Sequence, residues 1–211
     1  MAGTTRQRLT RREAAGLLVG LLGFADVSPA RAESNSTEDS RAAGNYVSKI
    51  AAEVMGLANG GGSGDALRLR FVAILNKYIN IRGIASFALG QYQSKLAGAD
   101  KEQFYSLFSN YAASLFVAYA ADFRGSDLKI TSTTSQGNFT TITSAIVSKG
   151  GGQEQVKWRL ASTGGAYRVS DVNIKGVWLS IATKKRFGDV LKRSGGDFGA
   201  LFAELKKADT W

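Results

Sequence analysis

Residues 154–174 read Glu154-Gln-Val-Lys-Trp-Arg-Leu-Ala-Ser-Thr-Gly-Gly-Ala-Tyr-Arg-Val-Ser-Asp-Val-Asn-Ile174. In Val156-Lys157-Trp158-Arg159-Leu160 apolar residues alternate strictly with cations, the period of a strand with one face buried. Gly164-Gly165 breaks the run and a second one, 166–174, follows at once. Two more runs lie upstream, 128–134 and 139–148, rich in Thr, Val and Ile. The joints are Gln136-Gly137-Asn138 and Gly150-Gly151-Gly152. Connections this short fit only antiparallel neighbours, so the stretch predicts a four-stranded meander.

The period changes to 3.6 on both sides of the meander. Upstream, Tyr46, Val47, Ile50, Val54 and Leu57 make one apolar stripe over 44–57, ended by the glycine-rich 59–64. Asp65 stands at an N-cap position for a second helix to about residue 78, with Leu67, Phe71, Ile74, Leu75 and Tyr78 on its inner side. A short helix over 82–89 ends at Gly90, placed for a left-handed cap. Asp100 and Gln103 have capping-box spacing and open the longest helix, to about residue 123. Its stripe is Phe104, Leu107, Phe108, Tyr111, Leu115 and Tyr119, with Phe116 beside it. Downstream, helices over 179–193 and 197–207 are separated by Gly195-Gly196. The expected fold is α+β in one domain over 44–211. Its N-terminal helices and long helix pack on one face of a curved four-stranded antiparallel sheet, with C-terminal helices after it. Each aromatic of these stripes reads first as ordinary core; taken together, a long aromatic helix facing such a sheet can also leave a gap between them suited to an apolar ligand.

Composition removes much chemistry. The 211 residues include no His and no Cys. There is then no Ser-His-Asp triad, no imidazole base, no thiolate nucleophile and no His- or Cys-held metal; no metal or cofactor is expected. Residues 1–32 read as an export leader. Arg6, Arg8, Arg11 and Arg12 precede an apolar run, 14–25, too short to span a bilayer, and Ala30-Arg31-Ala32 is a small-x-small cleavage signature. Cleavage is expected after Ala32, through the Sec or the twin-arginine route. The polar stretch 33–43 is expected to be a flexible terminus. The leader carries five Arg and two acids, so its loss lowers the formal charge from +10 to +7. In an exported chain that charge does not point to nucleic acid.

Asp171 is the one carboxylate in an unexpected place, inside a strand. Its ordinary role there is to accept backbone N–H groups; the catalytic alternative pairs it with a nearby Tyr. Lys184-Lys185-Arg186 and Lys192-Arg193 share a broad side of their helix. That is either a solvated face or a surface for anionic headgroups or an acidic partner.

The run Asp171-Val-Asn-Ile-Lys-Gly-Val-Trp-Leu-Ser-Ile-Ala-Thr-Lys-Lys-Arg-Phe187, with Leu191 and Ser194-Gly-Gly196, resembles the C-terminal signature of the periplasmic phospholipid-shuttle proteins, the MlaC or toluene-tolerance auxiliary family. Ala88-Leu-Gly-Gln-Tyr92, and Asp100-Lys-Glu-Gln-Phe104 with Tyr111 and Tyr119, resemble two further stretches of that family. The likeness runs over most of 45–207. Lys175 stands where the family usually has Glu, and Trp178 where it has a small residue.

The resemblance implies a monomeric periplasmic carrier of phospholipid. It would move lipid between an outer-membrane lipoprotein–porin complex and an inner-membrane ABC transporter containing an MCE protein, touching each transiently. For such a carrier, the apolar stripes of this chain place the expected acyl-chain contacts at Phe71, Leu75, Phe87, Tyr92, Phe104, Phe108, Tyr111, Leu115 and Tyr119 on the helices. From the sheet side they add Trp158, Val172, Ile174, Val177, Trp178 and Ile181. Lys175, Lys184, Lys185 and Arg186 would meet headgroups or partners. A hopanoid-associated branch shares this architecture, so another apolar lipid is an alternative. Two further alternatives stay open. One is a small enzyme on a cone-shaped α+β fold using Asp171 and Tyr. The other is an interaction module without a ligand pocket, which a hollow below roughly 300 Å³ would favour.

Overall fold

The computed structural model describes residues 29–163 and 165–210, with side chains over 38–162 and 165–208. Most of the expected leader, residues 1–28, lies outside the described residues. The order is α1 (Pro29–Asn59), α2 (Gly64–Tyr78), α3 (Ile81–Leu89), a 3-10 turn (Gly90–Lys95), α4 (Gly98–Tyr119) and a second 3-10 turn (Ala120–Phe123). Then follow β1 (Asp127–Gln136), β2 (Phe139–Val147), β3 (Gln153–Thr163), β4 (Ala166–Ile174), β5 (Val177–Trp178), α5 (Leu179–Arg193) and α6 (Phe198–Lys206). The strands form one antiparallel sheet in sequence order.

The sheet has five strands, one more than expected. β5 is two residues long, and a two-residue strand carries no period to read in sequence. It exists because Lys175 and Gly176 turn the chain sharply, setting Val177 opposite Ile174 and Trp178 opposite Asn173. Both central residues have positive φ, 52° and 83°, as a type I′ hairpin turn requires. Glycine meets that demand freely; a lysine there is unusual. Bulges near Thr131 in β1 and Ser170 in β4 bend the sheet.

The helix expected from residue 44 begins at Pro29, so the stretch expected to be a flexible terminus is helical. Ala43 and Val47, one turn apart, are fully buried and anchor that half. Two caps also differ. Ser63 occupies the N-cap of α2, and Asp65 sits in its first turn, paired with Arg68 at 2.9 Å. Ala97 occupies the N-cap of α4, leaving Asp100 in the first turn, where its charge meets the positive end of the helix. Asn80 and Asp197 cap α3 and α6 by accepting from Gly83 N and Gly199 N. α5 closes in a Schellman turn: Gly195 takes φ 68°, and Gly196 N donates to Leu191 O at 2.7 Å.

Among the described residues the buried apolar side chains form two cores. The first lies between α1, α2, the end of α4 and the sheet, around Val47, Ile50, Phe116, Ile142, Leu160 and Val169. The second lies among the helices α3 to α6, around Phe104, Phe108, Tyr111, Phe187, Leu191 and Leu201. Phe187 is fully buried, with Phe104, Phe108 and Tyr111 edge-on to it at 6.0–6.2 Å. The aromatic stripe of α4 therefore faces other helices, not the strands. Spanning 22 residues, or about 33 Å, α4 crosses from one core to the other. Only its last turns, with Phe116, meet the sheet side; α1 covers β1 and β2, and α2 packs beside it.

Candidate functional site

The sheet's inner face and α1 do not close on each other at one end. A hollow of about 110 Å³ remains there. Ala51, Val54 and Met55 of α1 form one wall, and Phe116 and Phe123 close it toward the end of α4. The opposite wall is the sheet: Leu128, Ile146, Val156, Trp158, Val172 and Ile174. These strand residues share a face because they are register partners or sit two apart; Trp158 is opposite Val172, and Val156 opposite Ile174.

The lining is apolar by construction, even at its one indole. Trp158 Nε1 donates to Ser144 Oγ at 3.0 Å, and Ser144 Oγ donates to Val156 O at 3.1 Å. The indole N–H is thus satisfied within the sheet, and the ring offers hydrocarbon to the hollow. Behind the helical wall, Phe71 stacks on Phe116 with centroids 4.0 Å apart. Glu154 alone among the lining residues is charged; it is partly exposed, its carboxylate 3.8 Å from Lys175 Nζ.

Of the residues expected to touch acyl chains, the hollow gathers Trp158, Val172 and Ile174, with Phe71 one layer behind. Val177 lies beside Ile174 at the open end, half exposed. Trp178 shares Asn173's face, the outer one, and packs under the Arg159 guanidinium at 4.0 Å. Phe104, Phe108, Tyr111, Leu115 and Tyr92 belong to the second core. Leu75 is buried on α2, while Phe87, Tyr119 and Ile181 are exposed outside the hollow.

Among the expected headgroup contacts, Lys175 lies beside the lining, its Nζ 3.8 Å from the Glu154 carboxylate. Lys184 lies over the Phe87 ring at 4.7 Å, Lys185 pairs with Asp189 at 2.9 Å, and Arg186 pairs with Glu204 at 2.7 Å. Those three decorate α5, away from the hollow. The α1 wall was missed as a site, although Val54 stood in the sequence's first helical stripe. Phe116, read as a neighbour of the α4 stripe, is the α4 residue that lines the hollow.

Asp171 is buried and fully engaged. Its Oδ1 accepts from Val172 N at 2.9 Å and Ser180 N at 3.1 Å, and its Oδ2 accepts from Ser180 Oγ at 2.5 Å. It ties the last long strand to the first turn of α5, the structural role open to it in the sequence. No Tyr is among these partners. Among the described residues no cluster of acids is suited to hold a metal, and no helix is long and apolar enough to cross a membrane.

A family model described as MlaC protein matches residues 48–207. No curated protein matches the chain. Among solved structures, a phospholipid-binding protein from Ralstonia solanacearum, determined in complex with a phospholipid, is similar in fold. The TM-score is 0.66 at 19% identity, over 79% of this chain and 96% of that one.

Proposed function

The chain belongs to the MlaC family, and from that premise we propose that it is a periplasmic carrier that sheathes phospholipid acyl chains between α1 and the sheet. It exchanges them with an outer-membrane lipoprotein–porin complex on one side and an inner-membrane MCE-containing ABC transporter on the other. The leader 1–32 delivers it to that compartment. The observation that carries the reading is the hollow itself: walls of hydrocarbon, a satisfied indole, and Glu154 as the single charged residue in the lining. The same fold accompanies a bound phospholipid in the Ralstonia protein, which supports it.

The need for such a carrier is physical. Two tails of about 15 methylenes each, at roughly 0.8 kcal/mol per methylene, cost on the order of 24 kcal/mol to hold in water. A protein offering comparable apolar surface removes that barrier without a chemical step, so no catalytic residue is assigned.

The hollow of about 110 Å³ is below the roughly 300 Å³ at which pockets for drug-sized ligands begin. Carriage therefore requires the walls to part. The seam suits this, because apolar side chains meet across it. The polar anchors of the same half of α1 run elsewhere: Glu53 to Lys77 and Tyr78, Ala58 O to Arg124, and Asn59 Oδ1 to Gly125 N. Across the hollow itself the walls meet only through hydrocarbon; the bond that ties α1 to a strand, Tyr167 OH to Asp39 O at 3.2 Å, lies in the other half of α1.

The small volume also favours a second reading, an interaction module with no ligand. Transfer of labelled phospholipid from vesicles into lipid-free protein separates the two. The carrier takes up lipid in proportion to protein; the module takes up none. Uptake of hopanoid in preference to phospholipid would keep the carrier and change its cargo.

A further inference from the structure

Glu154 lines the hollow, and the exposed Lys175 stands beside it. Glu154 comes from the start of β3, where it pairs across to Ile146, one row beyond Val156 and Ile174. Lys175 comes from the turn that follows Ile174. The turn holds it at φ 52°, a left-handed conformation that glycine adopts easily and lysine rarely. That conformation sets the lysine on the same edge as Glu154, with its side chain 78% exposed against 36% for the acid.

The separation is informative. At 3.8 Å the ammonium and carboxylate attract, but they are too far apart for a hydrogen bond. An exposed pair of this kind contributes little by itself, so either partner can be exchanged at small cost. The other wall supplies no competing charge: Ala51, Val54 and Met55 are apolar, and Glu53 is turned to Lys77 and Tyr78. Strand alternation sends Lys157 and Arg159 to the outer face.

We propose that this pair selects zwitterionic phospholipid headgroups, Lys175 taking the phosphate and Glu154 the ammonium. A headgroup with both charges two carbons apart, such as ethanolamine, replaces one weak pair by two. An anionic headgroup, such as glycerol, satisfies Lys175 and leaves Glu154 facing a phosphate of like charge. The selection rests on the carrier reading above, since it assumes tails in the hollow.

The test uses lipid-free protein incubated with vesicles of equal phosphatidylethanolamine and phosphatidylglycerol, then re-isolated and extracted for mass spectrometry. Total lipid per chain reports the carrier reading; the headgroup ratio reports the selection. We expect about threefold enrichment of ethanolamine lipid, the scale of one or two exposed ion pairs. Glu154→Gln should bring the ratio close to one, and Glu154→Lys should favour the glycerol lipid, with Tm unchanged in both. A wild-type ratio equal to that of the vesicles overturns the selection while leaving the carrier. A ratio that Glu154→Lys does not move also overturns it. Absence of any loading overturns both. Free glycerophosphoethanolamine, offered alone, should not be retained; its retention would make the mouth a site for soluble zwitterions and overturn the proposal.

Discussion

Val54→Phe should make the protein more stable and worse at its task. Val54 projects from α1 into the hollow, so a longer side chain there enters space that is already open. The change adds four carbons. At roughly 0.8 kcal/mol per buried carbon they are worth about 3 kcal/mol. The cavity route agrees: about 24 cal/mol per Å³ over 110 Å³ gives about 2.6 kcal/mol. Rotamer strain and incomplete filling reduce either figure, so a gain of about 1–2 kcal/mol is expected. For a domain of this size that is a rise in Tm of roughly 2–8 °C. The assay pairs thermal unfolding of lipid-free protein with uptake of phospholipid from vesicles. Stability should rise and uptake should fall at least severalfold, because the added ring occupies the seam that tails must enter. A lowered Tm would show that the space is not there. A raised Tm with unchanged uptake would show that acyl chains go elsewhere.

Phe187→Ala, in the second core, should cost about 3–5 kcal/mol in chemical denaturation. It should leave lipid uptake per folded molecule unchanged; a selective loss of uptake would return the aromatic stripe of α4 to the binding site. Asp171→Asn should destabilise by about 1–3 kcal/mol, because it weakens the acceptor for Val172 N, Ser180 N and Ser180 Oγ. An unchanged Tm with loss of some turnover would instead favour the enzyme alternative. Hydrogen bonds from Arg186 first and Lys207 second hold the Glu204 carboxyl below the usual glutamate range. Its folded form gives up the proton more readily than its unfolded form. Its contribution is therefore complete above the unfolded value of about 4.3 and drains away as pH falls through the lower folded value. Glu204→Gln should flatten that part of the acid stability curve; an identical curve refutes the assignment.

The meander was legible because alternation and glycine joints are local signals: β4 was expected over 166–174 and lies at Ala166–Ile174. The α5 helix was legible for the same reason. What sequence could not show was which neighbour buries which stripe. Phe104, Phe108 and Tyr111 recur at helical spacing whether they meet strands or helices, and only the packing decides. The same ambiguity hid the α1 wall, since Val54 reads as ordinary core until the helix is laid over the sheet. A two-residue strand and a front half of α1 made largely of polar residues had no periodic signal to find.

The central claim is that the seam between α1 and the sheet opens to hold hydrocarbon. Native mass spectrometry of the protein recovered from the cells that make it tests this most directly. The account predicts a species heavier than the bare chain by one phospholipid, with the increment lost on unfolding. Bare chain alone, both as recovered and after incubation with phospholipid vesicles, would contradict it.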